Sequence, residues 1–201
     1  MASSSLPDVP PALPRRGWGW GRALGRLILS VARWGFAGEI PNISKGVIIV
    51  APHTSNWDFV IGAAGMLALD LELRFLGKHT LFEGPLGFMF RGLGGIPVDR
   101  TQPGSIAEDT AARFEDEEQL LLALAPEGTR GKVDHWKTGF HRIARAAQVP
   151  IIAVALDYGT RLIRFGPLVT PSDDLEGDMQ IFYDFFATAR GRRGDVAPTT
   201  S

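Results

Sequence analysis

Apolar positions along this 201-residue chain fall in short blocks, and their period switches repeatedly between that of a buried strand and that of a helix. Gly46–Val50, Leu121–Ala125 and Val149–Leu156 are nearly unbroken apolar runs, too short for helices, and they predict strands covered on both faces. Leu73–Leu76, the run ending at Val98 and Arg161–Phe165 predict further strands. Helical blocks are predicted at Phe59–Leu69, Pro85–Leu93, Thr138–Ala147 and Met179–Ala189. Ser105-Ile106-Ala107-Glu108 has capping-box spacing and opens a helix running to Glu117, with the acidic run from Glu115 to Glu118 as its solvated end. Strands alternating with helices predict an α/β fold with a mixed, largely parallel sheet flanked by helices on both faces.

Two segments before this core read differently. Residues 1–17 are rich in Ser and Pro and are expected to be a disordered lead, without the basic start and unbroken apolar core of a signal peptide. Trp18–Phe36 is predicted to be a helix despite Gly19, Gly21 and Gly25. On a helical wheel Arg22, Arg26 and Arg33 fall within roughly 40° of one another. Trp20, Leu24, Leu27, Ile28 and Val31 take the other side. A basic amphipathic helix with tryptophans is the pattern of a segment lying in a membrane interface, although the same period serves a helix docked on its own core. No run reaches the roughly 20 apolar residues needed to cross a bilayer. Residues 191–201 read as a flexible tail.

Composition narrows the chemistry. With 45% hydrophobic residues the chain can bury a substantial core, and a net charge of −1 argues against nucleic acid as a partner. The absence of cysteine excludes disulfides, cysteine zinc sites and a thiol acyl-enzyme, and suits a reducing cytoplasm.

The most informative stretch is Ala51-Pro52-His53-Thr54-Ser55-Asn56-Trp57-Asp58, directly after the first apolar run. It places His53 in a strand-to-helix turn, with Thr54, Ser55 or Asn56 as the helix cap. Asp58 falls in the first helical turn, where its carboxylate can fold back on the imidazole, fix the tautomer and leave the other nitrogen to take a proton. A structural histidine beside a capping aspartate fits these residues equally. Ser55 is a conceivable nucleophile, but no Gly-x-Ser-x-Gly elbow surrounds it and capping is the simpler role. His79, His135 and His141 lie in separate segments without metal-helix spacing, so no metal is expected. Phe88, Met89 and Phe90, or Phe182, Phe185 and Phe186, could line an acyl tunnel or simply fill the core.

Three further blocks follow: Gly94-Gly95-Ile96-Pro97-Val98-Asp99-Arg100, Leu121 through Pro126-Glu127-Gly128-Thr129-Arg130, and Val149–Leu156. Together with His53-x4-Asp58, in this order, they resemble the glycerolipid acyltransferase family of the PlsC type, the 1-acylglycerol-3-phosphate acyltransferases. Trp136-Lys137-Thr138-Gly139 is similar to the family's aromatic-Lys-x-Gly stretch. The resemblance covers Gly46 to Leu156. Pro52, Ala125 and Ala153 depart from it, standing where the family often has Asn, Phe and a second Pro.

The resemblance implies that residues 37–190 form an acyltransferase domain. An alcohol is a weak nucleophile at neutral pH, so a base with a pKa of about 6–7 suits acyl transfer from a thioester, and histidine fits. By resemblance His53 is that base, oriented by Asp58. Arg100 and Arg130 each follow an apolar strand whose carboxyl end faces a ligand crevice, and guanidinium forks grip phosphate. The family assigns them the acceptor's phosphate, with Gly128, Thr129 and Lys137 as helpers. Glu127 either orients the acceptor's glycerol or pairs with an arginine. The implied activity is O-acyl transfer from acyl-CoA or acyl carrier protein to a lysophosphatidate-like acceptor. It needs no cofactor beyond the donor, and its place is the cytoplasmic face of the cell membrane, on anionic lipid. Acylation of a different lysolipid or an amino-acid-linked lipid, a lipid ester hydrolase and a non-catalytic membrane module are the alternatives. A hydrolase would call for a nucleophile elbow or metal ligands, and a module would be expected to lack His53, Asp58 or Arg130.

Overall fold

A computed structural model describes residues 6–98, 103–129, 131 and 133–194. Among them, seven strands form one sheet: β1 (Gly35–Ala37), β2 (Lys45–Ala51), β3 (Arg74–Lys78), β4 (Gly95–Val98), β5 (Leu120–Leu124), β6 (Ile151–Asp157) and β7 (Leu162–Val169). Their order is β1-β7-β6-β2-β5-β3-β4, and only β6 and β7 pair antiparallel. The mixed, largely parallel α/β sheet expected from the apolar runs is present.

The central strand β2 explains the layering. Val47, Ile49 and Ala51 point to one face, where Phe114, Phe140, Phe182 and Phe186 pack from α5 (Pro103–Asp116), α6 (Gly139–Ala146) and α7 (Leu175–Phe186). Ile48 points to the other face, covered by α1 (Gly19–Ala32) and α2 (Asn56–Ala68) through Leu29, Ile61, Ala64 and Leu67. Side chains alternate along a strand, so a continuously apolar β2 supplies both cores at once. Two short helices, α3 (Thr80–Glu83) and α4 (Gly87–Gly92), link β3 to β4.

Three expectations are corrected. The helix expected from Trp18 to Phe36 stops at Ala32: Arg33 adopts the left-handed conformation, φ 56°, and the Trp34 N–H bonds the Leu29 carbonyl at 2.8 Å. Phe36 instead lies in edge strand β1, buried against the α2 side of the sheet. Residues 6–17, expected to be loose, are strapped to the domain. Leu13 is 2% exposed, Leu6 and Val9 pack on the same core, and the Arg16 guanidinium bonds the Gly92 and Leu93 carbonyls. Ser and Pro content signalled disorder, yet the interspersed Leu6, Val9 and Leu13 are enough to dock an extended strand of chain. Finally, α7 begins four residues before Met179, because Asp174 caps it by accepting the Gly177 N–H at 2.9 Å.

Helix α1 meets α2 across glycine. A Cβ at Gly25 would come within 2.5 Å of the Ala68 nitrogen and 2.6 Å of the Ala64 carbonyl oxygen, so glycine lets the two helices touch by their backbones. Gly21, Gly25 and Leu29 are therefore the buried face. The bulkier apolar residues stay outside: Trp20 is 65%, Leu27 61% and Val31 77% exposed.

Candidate active site

Strand β2 lies between β5 and β6, all three parallel, so their carboxyl ends open at the same edge of the sheet. His53 leaves β2 through the cis Ala51–Pro52 peptide and stands just beyond that edge. Its side chain is 23% exposed, whereas that of Asp58 is fully buried. Both neighbouring strands supply partners. From the loop after β5, the buried Glu127 accepts the His53 backbone N–H with both carboxylate oxygens at 3.0 Å. From the end of β6 comes Tyr158.

Asp58 is the third residue of α2, whose cap is Ser55, and the Trp57 N–H donates to the Ser55 hydroxyl at 3.0 Å. Ser55 is thus the helix cap. One Asp58 oxygen, Oδ2, accepts the backbone N–H groups of Thr54 and Ser55, each at 2.6 Å, and lies 3.6 Å from His53 Nδ1. The other, Oδ1, accepts the Tyr158 hydroxyl at 2.7 Å. Asp58 is at once the capping-box partner of Ser55 and the carboxylate facing the imidazole, so the two readings of the sequence describe one group. At 3.6 Å the contact to the ring is an ion-pair distance rather than a hydrogen bond, and such contacts tighten when substrate binds. Burial pushes the Tyr158 hydroxyl far above its usual titration range; the hydrogen bond to Asp58 and that carboxylate's charge add to the shift, and Arg192 opposes it. The Tyr158 hydroxyl therefore keeps its proton and donates a hydrogen bond to Asp58.

Gly128 takes φ 66°, and its missing Cβ would fall 3.1 Å from the Lys137 side-chain carbons. Glycine here permits the turn and lets Lys137 lie across it. The Lys137 N–H bonds the Pro126 carbonyl at 2.9 Å, which ties the Trp136-Lys137 stretch to the loop after β5. Thr129 is exposed, and its hydroxyl accepts the Gly131 N–H. His53, Asp58, Glu127, Gly128, Thr129 and Lys137 thus gather around the carboxyl ends of β2 and β5. Arg100 and Arg130 lie outside the described residues. Among the described residues no three His, Asp or Glu side chains gather as a metal site. Phe182 and Phe186 are completely buried core, Phe90 packs on Phe59 and Phe82, and Phe88 is 77% exposed.

Two partners escaped the sequence reading. Glu127 was assigned to acceptor or arginine, yet it also clamps the backbone of the histidine. Tyr158 was not considered, although it stands immediately past the last buried residue of β6, where a parallel strand delivers side chains to the crevice.

A model described as Acyltransferase matches residues 36–157. The chain belongs to this acyltransferase family. Over 117 residues it is 32% identical to 1-acyl-sn-glycerol-3-phosphate acyltransferase of Streptococcus pneumoniae; the match covers 58% of this chain but 43% of that relative's length. Its fold resembles the crystal structure of the 1-acyl-sn-glycerophosphate (LPA) acyltransferase PlsC from Thermotoga maritima. The TM-score is 0.61 at 17% identity, over 83% of this chain and 75% of that one.

Proposed function

We propose that this acyltransferase moves a fatty acyl group from acyl-CoA or acyl carrier protein to the hydroxyl of a lysophosphatidate-like glycerolipid. The observation that carries the reading is the state of the two side chains: a part-exposed imidazole stands at the crevice edge beside a fully buried carboxylate already held by three donors. In the proposed reaction the acceptor oxygen bonds to the thioester carbonyl carbon while His53 takes the hydroxyl proton. The tetrahedral adduct then collapses, the carbon–sulfur bond breaks, and the proton passes to the departing thiolate. Asp58 stabilises the imidazolium during the transfer, at no cost in reorganisation because its hydrogen bonds already fix it.

Arg100 and Arg130, with Lys137 and the Gly128–Thr129 backbone, are proposed to hold the acceptor's phosphate. In the sequence they follow the last residues of β4 and β5, which supports this, as does the acyltransferase activity named for the Streptococcus relative. Helix α1 is proposed to lie in an anionic membrane surface at the cytoplasmic face. Trp20, Leu24, Leu27 and Val31 form an exposed apolar stripe, Arg22, Arg26 and Arg33 are exposed beside it, and among the described residues no helix is long and apolar enough to cross a bilayer.

The test is lipid mass spectrometry of the purified protein offered a panel of lysolipids with each donor. Lysophosphatidate should be acylated fastest. No transfer to any lysolipid from either donor would sink the activity, and transfer confined to acceptors without a phosphate monoester would sink the arginine assignment.

A further inference from the structure

We propose that Tyr158 is a positioning residue for the catalytic base, its hydroxyl holding Oδ1 of Asp58 so that Oδ2 stays turned to the His53 imidazole. This inference rests on the proposed acyl-transfer role of His53.

The two oxygens of Asp58 are held by different parts of the fold. Oδ2 is held locally, by the Thr54 and Ser55 N–H groups of its own helix start. Oδ1 is held from just beyond the end of β6, a hundred residues along the chain, by Tyr158 at 2.7 Å. Asp58 is 2% exposed, so water cannot readily stand in for a lost donor. Tyr158 is itself held at both ends. Its ring meets Trp34 edge to face at 4.8 Å between centroids, and its N–H bonds the Arg190 carbonyl at 2.9 Å. A tyrosine so fixed sets the plane of the carboxylate, and with it the direction from which charge reaches the imidazole.

The same bond tunes charge. A donor on Oδ1 draws negative charge away from the oxygen that faces the ring. Without it the carboxylate favours the protonated imidazole more strongly, and the base is silenced at a higher pH. Among the described residues, charged groups around this cluster include Glu127, on the His53 backbone; Lys137, across Gly128; and Arg192, beside Tyr158 and over the Trp57 ring at 5.2 Å. None of these described groups offers a hydroxyl to Oδ1.

The experiment uses the full chain, lysophosphatidate and a long-chain acyl-CoA, comparing pH–rate profiles of the wild type, Tyr158→Phe and His53→Ala. Phenylalanine keeps the ring against Trp34 and removes the donor alone. We expect kcat to fall about tenfold or more, the scale seen when outer hydrogen-bond partners of metal-bound histidines are removed. KM for both substrates should hold within about twofold, and the acid limb of the profile should move to higher pH. Should Tyr158→Phe fold poorly, 3-fluorotyrosine is the second probe. Only Tyr158 and Tyr183 would carry it, and its stronger donation should move the acid limb to lower pH. An unchanged limb, with activity lost only in proportion to folded protein, would reduce Tyr158 to packing and overturn the proposal. If His53→Ala keeps its activity, the role of His53 falls and this inference falls with it. If His53→Ala is dead and Tyr158→Phe is unaffected, only the inference about Tyr158 fails.

Discussion

Two histidine–aspartate pairs stand among the described residues, and they differ in almost every respect except composition. His53 and Asp58 are 3.6 Å apart, five positions apart in sequence, with the imidazole part-exposed at the open edge of the sheet. His141 and Asp178 are 2.8 Å apart, with side chains only 5% and 9% exposed, and they join α6 to α7 on one face of the sheet. Asp178 is completed by the Ser172 N–H at 2.7 Å and the Ser172 hydroxyl at 3.1 Å. The shorter pair is the one closed off from the crevice. A base needs an imidazole that substrate can reach and whose proton can come and go, whereas a staple needs a closed, satisfied bond. Pair distance alone would favour His141 as the base; access and position on the sheet favour His53, the base proposed above.

The largest expected effect sharpens that contrast directly. His53→Ala should abolish transfer, by about 10³-fold or more, while its melting temperature stays close to wild type. His141→Ala should do the reverse. It leaves Asp178 short of a buried partner, costing about 2–3 kcal/mol. That is roughly 5–10 °C for a chain of this size, with activity per folded molecule retained. Paired calorimetry and turnover measurements that gave the opposite assignment would exchange the roles of the two histidines.

Asp58→Asn comes next and should blur the contrast, because Asp58 both faces the imidazole and caps α2. Turnover should fall by about 10³–10⁴-fold, by analogy with an orienting carboxylate. Stability should fall too, by about 1–3 kcal/mol, because the amide NH2 replaces a buried oxygen that accepts hydrogen bonds and is left facing a donor. A fall in turnover with no loss of stability would show the cap to be dispensable.

The staple should carry a smaller, pH-dependent signature. Burial pushes the Asp178 carboxyl up, but the Ser172 N–H, the His141 ring, the Ser172 hydroxyl and the His141 charge outweigh it, and the net shift is downward. A carboxyl depressed in the folded state stabilises the protein above its unfolded value of about 3.9 and loses that contribution as pH falls through the folded value. The melting-temperature gap between wild type and Asp178→Asn should therefore be full near neutrality and close below about pH 4. A gap that widened on acidification would reverse the assigned direction.

The smallest effect lies outside both pairs. Changing Arg22, Arg26 and Arg33 to Glu should release the protein from anionic vesicles in a flotation assay. Each lost cation is worth about 1 kcal/mol near the surface and is screened by salt. Turnover of a short-chain, water-soluble acceptor should survive. A triple variant still bound at low salt would mean that the exposed stripe of α1 does not work with its arginines to hold a membrane.

Short-range information was legible in the sequence. The strands are continuous apolar runs, and His53 and Asp58 lie within one strand-to-helix turn, so both the sheet and the dyad could be read from neighbouring residues. The same was true of Ser55 as a cap and of the amphipathic period of α1. What could not be read depended on residues distant along the chain. Which face of α1 is buried was decided by Gly25 meeting the backbone of α2, so the period was visible but its docking was not. Residues 6–17 are docked because the α2 side of the sheet offers a surface for Leu6, Val9 and Leu13 and distant carbonyls accept from Arg15 and Arg16.

The residues that support the dyad follow the same rule. Glu127 and Tyr158 lie 74 and 100 positions from their partners, His53 and Asp58, and the pair His141–Asp178 spans 37. The sequence by itself determined the α/β alternation and the nearness of His53 to Asp58, because both arise from contacts a few residues apart. Only the tertiary structure decided which carboxylate is fixed from three sides and which histidine is closed off. Those outcomes depend on β2 lying between β5 and β6, a pairing set by long-range burial and registered in no local pattern.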